Sequence, residues 1–362
     1  MNLEIKPVVH LRELKQFVKF PFDLYQGNEY WAPPLISGQL ETLRQDRNPA
    51  FAYCRAAYWI ASRDGKIVGR IAAMVNDKFN SVWSESLARF GWFDFVDDIQ
   101  VSSLLLATAE KWAQEQGMSG INGPMGFTNF DASGMLVEGF KELSTFGAAY
   151  NHSYYASHLE HHGYGKAADW VEYQIAVPGE IPDKVERIAE IVEKRFKLEL
   201  KQFKHKKQLL PFAHDIFSMI NVAYKDIYGF VELSERQVEY YIHSYLNFIK
   251  PELTPLIFDE HGKLVAFGIT MPSLSVAAQK AQGRLLPLGI YHFLKAMRSY
   301  RQIDFLLTAV HPDFQNKGVN AMLMLAMHKF FIEKGVESVE TNWEHEDNLK
   351  IQAQWRFYQT RL

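Results

Sequence analysis

Cys54 is the only cysteine in 362 residues, so no disulfide can form within the chain. Long apolar runs are also missing. The longest stretches, such as Ala321 to Met327, fall far short of the roughly 20 residues a membrane-spanning helix needs. Neither sign of charge is in excess. With 39 Lys and Arg against 42 Asp and Glu, the net charge of −3 supplies no global field for a polyanion, which argues against a nucleic-acid partner. The opening MNLEIKP has neither a basic segment nor an apolar one, so a cytoplasmic location is expected and a membrane is not an expected partner. With only 14 prolines, the chain is not low-complexity, and its 48% hydrophobic and 14% aromatic residues make it globular throughout.

A chain of 362 residues is longer than one hydrophobic core usually serves. The best boundary is Val177-Pro-Gly-Glu-Ile-Pro182, where a strand-like segment ends and a charged helix begins, giving domains 1–178 and 179–362. Trp92 to Gly117 also aligns without gaps on Val310 to Gly335. Val101/Val319, Leu105/Leu323, Lys111/Lys329, Glu115/Glu333 and Gly117/Gly335 coincide, which points to duplication of one unit. Each half offers an early strand, then helices. A hairpin follows, around Asp64-Gly65 in the first half and Glu260-His-Gly262 in the second, so the expected class is α/β with a mixed sheet.

Residues 303–342 are the most informative stretch. Phe305 to Val310 reads as a buried strand ended by Pro312, and Val319, Met322, Leu323, Ala326 and Phe330 follow helical spacing up to Gly335. Between them, Gln315-Asn316-Lys317-Gly318-Val319-Asn320 places a residue without a side chain where backbone N–H groups can meet an anion at the positive end of a helix. In the first half Gln100 aligns with Gly318, and Asp97 and Asp98 would repel a phosphate or cap the helix.

The pattern Gln315-x-x-Gly318-x-Asn320 resembles the acyl-CoA pyrophosphate loop of the GNAT superfamily of N-acyltransferases, with Asn320 where glycine or alanine is usual. The resemblance implies two tandem GNAT-like domains, the first without a pyrophosphate loop and the second without an obvious final strand after Leu362. It implies acyl-CoA, in the first instance acetyl-CoA, as co-substrate, held by Val310, Gln315, Asn316, Lys317, Gly318, Val319 and Asn320. The acceptor would be a small-molecule or peptide amine. A protein that keeps the fold to bind a ligand without turnover is the alternative.

Acyl transfer to an amine needs a base, because an amine of pKa near 10.4 is almost wholly protonated at pH 7, and a proton for the departing thiolate. In the superfamily a tyrosine on the helix after the second core strand commonly supplies that proton, which points to Tyr358, although the usual spacing from Asn348 lands on Trp355. Tyr358 also reads as a packing aromatic. Asp304, His311 and Glu340 lie in regions from which a base could act, and none is singled out by spacing. No metal site is expected: Glu160 points away from His158 and His162 on a helix. Phe127, Phe130, Tyr154 and Tyr155 are expected to wall the acceptor pocket.

Overall fold

In the computed structural model, which describes residues 2–245 and 248–362, two compact units form. One comprises Met1–Ala167 with Ser275–Phe293, and the other Ala168–Leu274 with Leu294–Leu362. The chain therefore divides near Ala167 and not at the proline-glycine segment 177–182, and a short piece of the second half joins the first unit.

The first unit is built on a five-stranded sheet in sequential order: β1 (Leu3–Pro7), β2 (Cys54–Arg63), β3 (Lys66–Asn76), β4 (Leu87–Phe95) and β5 (Gly120–Asn122). Asp64 and Gly65 turn β2 into β3 with both residues at positive φ, the turn whose twist suits a hairpin. Around the sheet lie α1 (Leu11–Leu24), α2 (Ile36–Thr42), α3 (Asp77–Trp83), α4 (Ile99–Glu115) and α5 (Tyr154–His161). The apolar face of α4, including Val101, Leu105 and Ala109, is fully buried with Phe90 and Phe95.

The second unit begins with the short strands β6 (Trp170–Val171) and β7 (Gln174–Ala176), then α6 (Asp183–Phe196), β8 (Glu199–Lys201), α7 (Lys206–Leu209), α8 (Ala213–Ala223) and α9 (Glu235–Tyr245). β9 (Leu256–Phe258) and β10 (Leu264–Pro272) form the second hairpin; α10 (Ser275–Ala281) and α11 (Gly289–Ala296) follow. Next come β11 (Gln302–Val310), α12 (Val319–Lys334), β12 (Ser338–Thr341), β13 (Glu344–His345), α13 (Leu349–Gln352) and β14 (Thr360–Arg361). Seven strands make one sheet in the order β14-β7-β12-β11-β10-β9-β8.

That order accounts for the strand missing from the sequence reading. β7 pairs antiparallel with β12, and β14, two residues long, pairs antiparallel with the other edge of β7. Residues 174–176, expected to close the first domain, are thus a strand of the second. The cause is apolar: Ile175 is buried among Val339, Phe305, Trp355 and Met327, so pairing here removes it from water. Replacing Ile175 by alanine should cost about 2–5 kcal/mol, as buried aliphatic truncations do. Urea unfolding followed by tryptophan fluorescence checks this, and a cost within error of zero would mean that β7 contributes no packing.

Candidate active site

β11 is paired on both sides only in its first half. Its parallel register with β12 runs from Gln302↔Ser338 to Phe305↔Thr341 and stops there. A bulge against β10 falls at this point, between the pairs Ile269↔Leu307 and Thr270↔Phe305. Beyond it Gly268 turns its N–H to Pro255 on the β9 side, so its partner Thr308 directs its own N–H and C=O away from β10. Val310 does the same, since His311 bonds back to Val265. The polar groups of Thr308 and Val310 therefore lie along a strand edge that no strand covers among the described residues. Side chains reach it there: the Tyr224 hydroxyl donates to the Thr308 carbonyl at 2.8 Å, and Gln315 Nε2 donates to the Val310 carbonyl at 3.1 Å.

The loop from His311 to Gly318 carries this edge into α12. Gly318, the residue before the helix, has φ +82, and an added Cβ would lie 3.1 Å from both Ile188 and Val192 of α6. The positive φ favours glycine there, and a side chain would also crowd α6. No hydrogen bond within the described residues involves the backbone N–H groups of Lys317, Gly318, Val319 or Asn320, which sit at the positive end of a helix with no acidic residue in its first turn. Lys317 holds its ammonium over Phe196 and Phe314, at 5.4 and 5.5 Å from the ring centres. Asn316 takes a positive φ of 59, which an asparagine tolerates. Val310, Gln315, Asn316, Lys317, Gly318, Val319 and Asn320 thus form one continuous segment from open edge to helix start, and it suits an extended ligand ending in phosphate.

Where β11 and β12 part, the side chains alternate. Ile303, Phe305 and Val339 face the core with α12, so Asp304 and its register partner Glu340 face the other side of the sheet. Asp304 is 4% exposed, and its Oδ1 has no hydrogen-bond partner among the described residues. Burial first, and then Glu340 and Glu172, push its carboxyl up to about 8, against a lowering bond from Ser273. Glu172, beside the Tyr173–Thr341 backbone bond at the end of β12, is raised to about 7 by burial and by Glu340. Gln174 donates to Glu340 at 3.1 Å.

Tyr358 lies apart from this group. The segment expected to be a helix from Asn348 to Tyr358 is α13 followed by a tighter turn at Ala353–Phe357, and Tyr358 is extended. Its hydroxyl lies 3.3 Å from His328 Nδ1, and the two rings stack obliquely. His328 is about 14 Å along α12 from Val319 at 1.5 Å per residue. Trp355 packs on Phe305, where the strands part, and donates to Glu344. His311 caps the turn that follows it by accepting from the Asp313 N–H. Tyr224 was missed: it follows α8 with no motif around it, and only the strand register shows that its hydroxyl meets an open edge.

The first unit has the same elements with both features removed. Only Val96, Asp97 and Asp98 separate β4 from α4, and Asp98 accepts from the Gln100 N–H as the helix cap. The free edge of β4 is covered as well. Tyr155 accepts from the Phe95 N–H, Tyr154 donates to the Phe95 carbonyl, and Met125 donates to Phe90. At Gly91 the Met125 carbonyl comes so close that a Cβ would lie 2.2 Å from it. Phe127 and Tyr155 are core residues, 0% and 1% exposed, and cannot wall a pocket as expected from sequence. His158 bonds Ser102 and Asp97, and His162 bonds Ser102 and Ser103.

Two solved structures share this fold. A tandem GNAT protein from the clavulanic acid biosynthesis pathway superposes with a TM-score of 0.52 over 98% of this chain and 94% of its own, at 14% identity. This chain has a tandem GNAT fold. A glucosamine N-acetyltransferase region of a fungal multi-domain GH3 β-N-acetylglucosaminidase gives a TM-score of 0.53 over 99% of the chain and 37% of its own, at 13% identity. No family model matches. Among curated proteins, YghO of Escherichia coli K12 is 25% identical over 95% of this chain and 89% of its own length. A bacterial ceramide synthase of Caulobacter vibrioides is 27% identical over 96% and 91%. The second unit has the parting strands and the glycine loop, and the first has neither.

Asn320 tests the loop without disturbing its packing. Asn320→Asp adds a negative charge in the first turn of α12, which favours the helix by about 0.3–1 kcal/mol but repels a phosphate. Melting temperature should hold or rise while the Kd for CoA rises about tenfold by calorimetry. Unchanged affinity would place the pyrophosphate elsewhere.

Proposed function

We propose that this GNAT-fold protein is an acyl-CoA-dependent N-acyltransferase whose second unit holds the acyl-CoA and carries the chemistry. The observation that carries this is the pairing of an uncovered strand edge at Thr308 and Val310 with unbonded N–H groups at the start of α12, in the unit whose fold matches GNAT structures. Acyl-CoA supplies the activated acyl group as a thioester. The chain's own residues bind and position it and move protons. Lys317 and the N–H groups from Lys317 to Asn320 face the pyrophosphate, and the edge of β11 aligns the pantetheine arm.

Asp304 is the base in this reading. A carboxyl raised to about 8 releases its proton near working pH and, once ionised, is a stronger base than an ordinary carboxylate. Glu340 and Glu172 add negative charge that draws a cationic amine to the same face. The proton for the leaving thiolate comes from Tyr224, whose hydroxyl is on the open edge and whose pKa, pushed up to about 12 by burial, keeps it protonated. The Tyr358 hydroxyl is engaged by His328, and we assign it to packing.

The acyl length and the acceptor extend this reading. The relative named a bacterial ceramide synthase matches nearly the whole chain, which favours a long-chain acyl-CoA and an amphipathic amine over acetyl-CoA and a small polar amine. Thiol release from acetyl-CoA and palmitoyl-CoA, each with sphinganine and with short amines, separates the two. Binding of CoA without thiol release under any pairing would leave the fold as a ligand-binding scaffold.

Asp304→Asn should lower kcat by about 10²–10⁴ with little change in acyl-CoA affinity. The wild-type rate should rise with pH through about 8. Stability moves the other way. Because the folded state holds this proton more tightly than the unfolded chain does, Asp304 favours folding below the ordinary carboxylate pKa, and that benefit is lost as pH rises through about 8. The Asn variant should therefore lose less melting temperature than wild type between pH 6 and 9. An active variant, or a parallel stability profile, refutes the assignment.

The two tyrosines give an opposed pair. Tyr224→Phe should reduce kcat at least tenfold, whereas Tyr358→Phe should stay within about twofold of wild type. The reverse order would return the proton donor to Tyr358.

A further inference from the structure

Between α10 and α11 the chain runs Arg284-Leu-Leu-Pro-Leu288, and it presents its apolar side chains to solvent. Leu286 and Leu288 are 73% and 72% exposed; on the first turn of α11, Ile290 and Tyr291 are 43% and 61% exposed. This loop is fixed in place. Gly283, at φ +71, sits where a Cβ would press on Phe22 and Ile36, its carbonyl accepts from the Ile36 N–H, and Gly289 lies so close to the Arg284 carbonyl that no side chain fits. Gln279 of α10 donates to the Glu29 and Trp31 carbonyls. A rigid loop that turns successive leucines outward exposes apolar area at a free-energy cost, which marks an interaction surface.

The charges flanking it identify the partner. Lys280 and Arg284, beside the loop, are exposed, and no acidic residue occurs between Glu260 and Asp304 in the sequence, in a chain whose net charge is −3. We propose that this loop and α11 dock on an anionic lipid bilayer, with Leu286, Leu288 and Tyr291 entering the headgroup region and the cations pairing with lipid phosphates. Leucines and a tyrosine beside basic residues suit a surface that is apolar within and negative outside. A second copy of the chain fits less well, since a two-fold contact would set these cations against themselves. The inference does not depend on acyl transfer. Among the described residues no helix is long and apolar enough to cross a membrane, which has no bearing on a surface loop.

Flotation of the full chain with vesicles tests it. Vesicles of phosphatidylglycerol and phosphatidylethanolamine should carry the protein up the gradient, and phosphatidylcholine alone should carry at least tenfold less. Leu286→Asp with Leu288→Asp should lower binding at least tenfold at unchanged melting temperature and unchanged CoA affinity. As a variant that keeps the surface apolar, Tyr291→Trp should shift its emission to the blue on the anionic vesicles. Absence of flotation, equal flotation of the double variant, or no emission shift overturns the proposal. A wild-type dimer that the double variant converts to monomer in light scattering also overturns it, and gives the face to a second copy.

Discussion

The second unit turns on a strand that cannot be paired along its whole length. β12 leaves β11 after Thr341, and the bulge opposite Ile269 and Thr270 bends β11 at the same place. From there the backbone of Thr308 and Val310 needs partners, because uncovered amide groups in a half-buried setting are costly. Tyr224 and Gln315 satisfy one carbonyl each through side chains, where elsewhere in the sheet a strand does so. The site is therefore a place where sheet pairing is left incomplete and covered by side chains. The same parting of strands puts Asp304 and Glu340 side by side on the face that the α12 core does not use.

The first unit shows what happens when that incompleteness is removed. The edge of β4 past Arg89 is also without a strand, since β5 pairs only with Leu87 to Arg89. Here the covering groups are built in. Tyr155 is buried and shares a network with Tyr25, Asp94 and Arg70, in which Arg70 pairs with Asp94 at 2.7 Å and also donates to the Phe17 carbonyl. Moving Tyr155 would leave the Asp94 carboxylate short of a partner in a buried setting. Tyr224 donates to the carbonyl it covers, and Gln315 to the next one along the edge. One edge is sealed by a buried network and the other by two separate side-chain contacts.

The sequence disclosed what depends on local signals. Asp64-Gly65, Gly318 and Gly335 fixed a hairpin and two helix ends because each needs a backbone that few residues adopt, and all three carry positive φ. The loop from Gln315 to Asn320 was legible for the same reason. The domain boundary was not. Residues 174–176 look like the end of a first domain, and only the burial of Ile175 in the second unit's core shows where they pair. Asp304 could be named but not ranked, because its raised pKa comes first from burial and then from Glu340 and Glu172, brought near by strand register and by β7. Tyr358 was expected on a continuous helix, whereas the helix tightens after Gln352 and the Tyr358 ring lies against His328.

The passage of β7 into the second sheet links these points. Glu172 precedes β7, and it reaches the end of β12 because Tyr173 exchanges hydrogen bonds with Thr341. A domain cut at 178 would take away Glu172, Gln174 and Ile175 together, and with them one charge that raises Asp304, the amide that holds Glu340, and an apolar contact behind Phe305. The acid-base character of the face opposite α12 is thus set partly by residues that precede the apparent boundary. The register of β7 within the second unit is therefore constrained, since a slip of one residue would turn Ile175 out of the core and Gln174 away from Glu340.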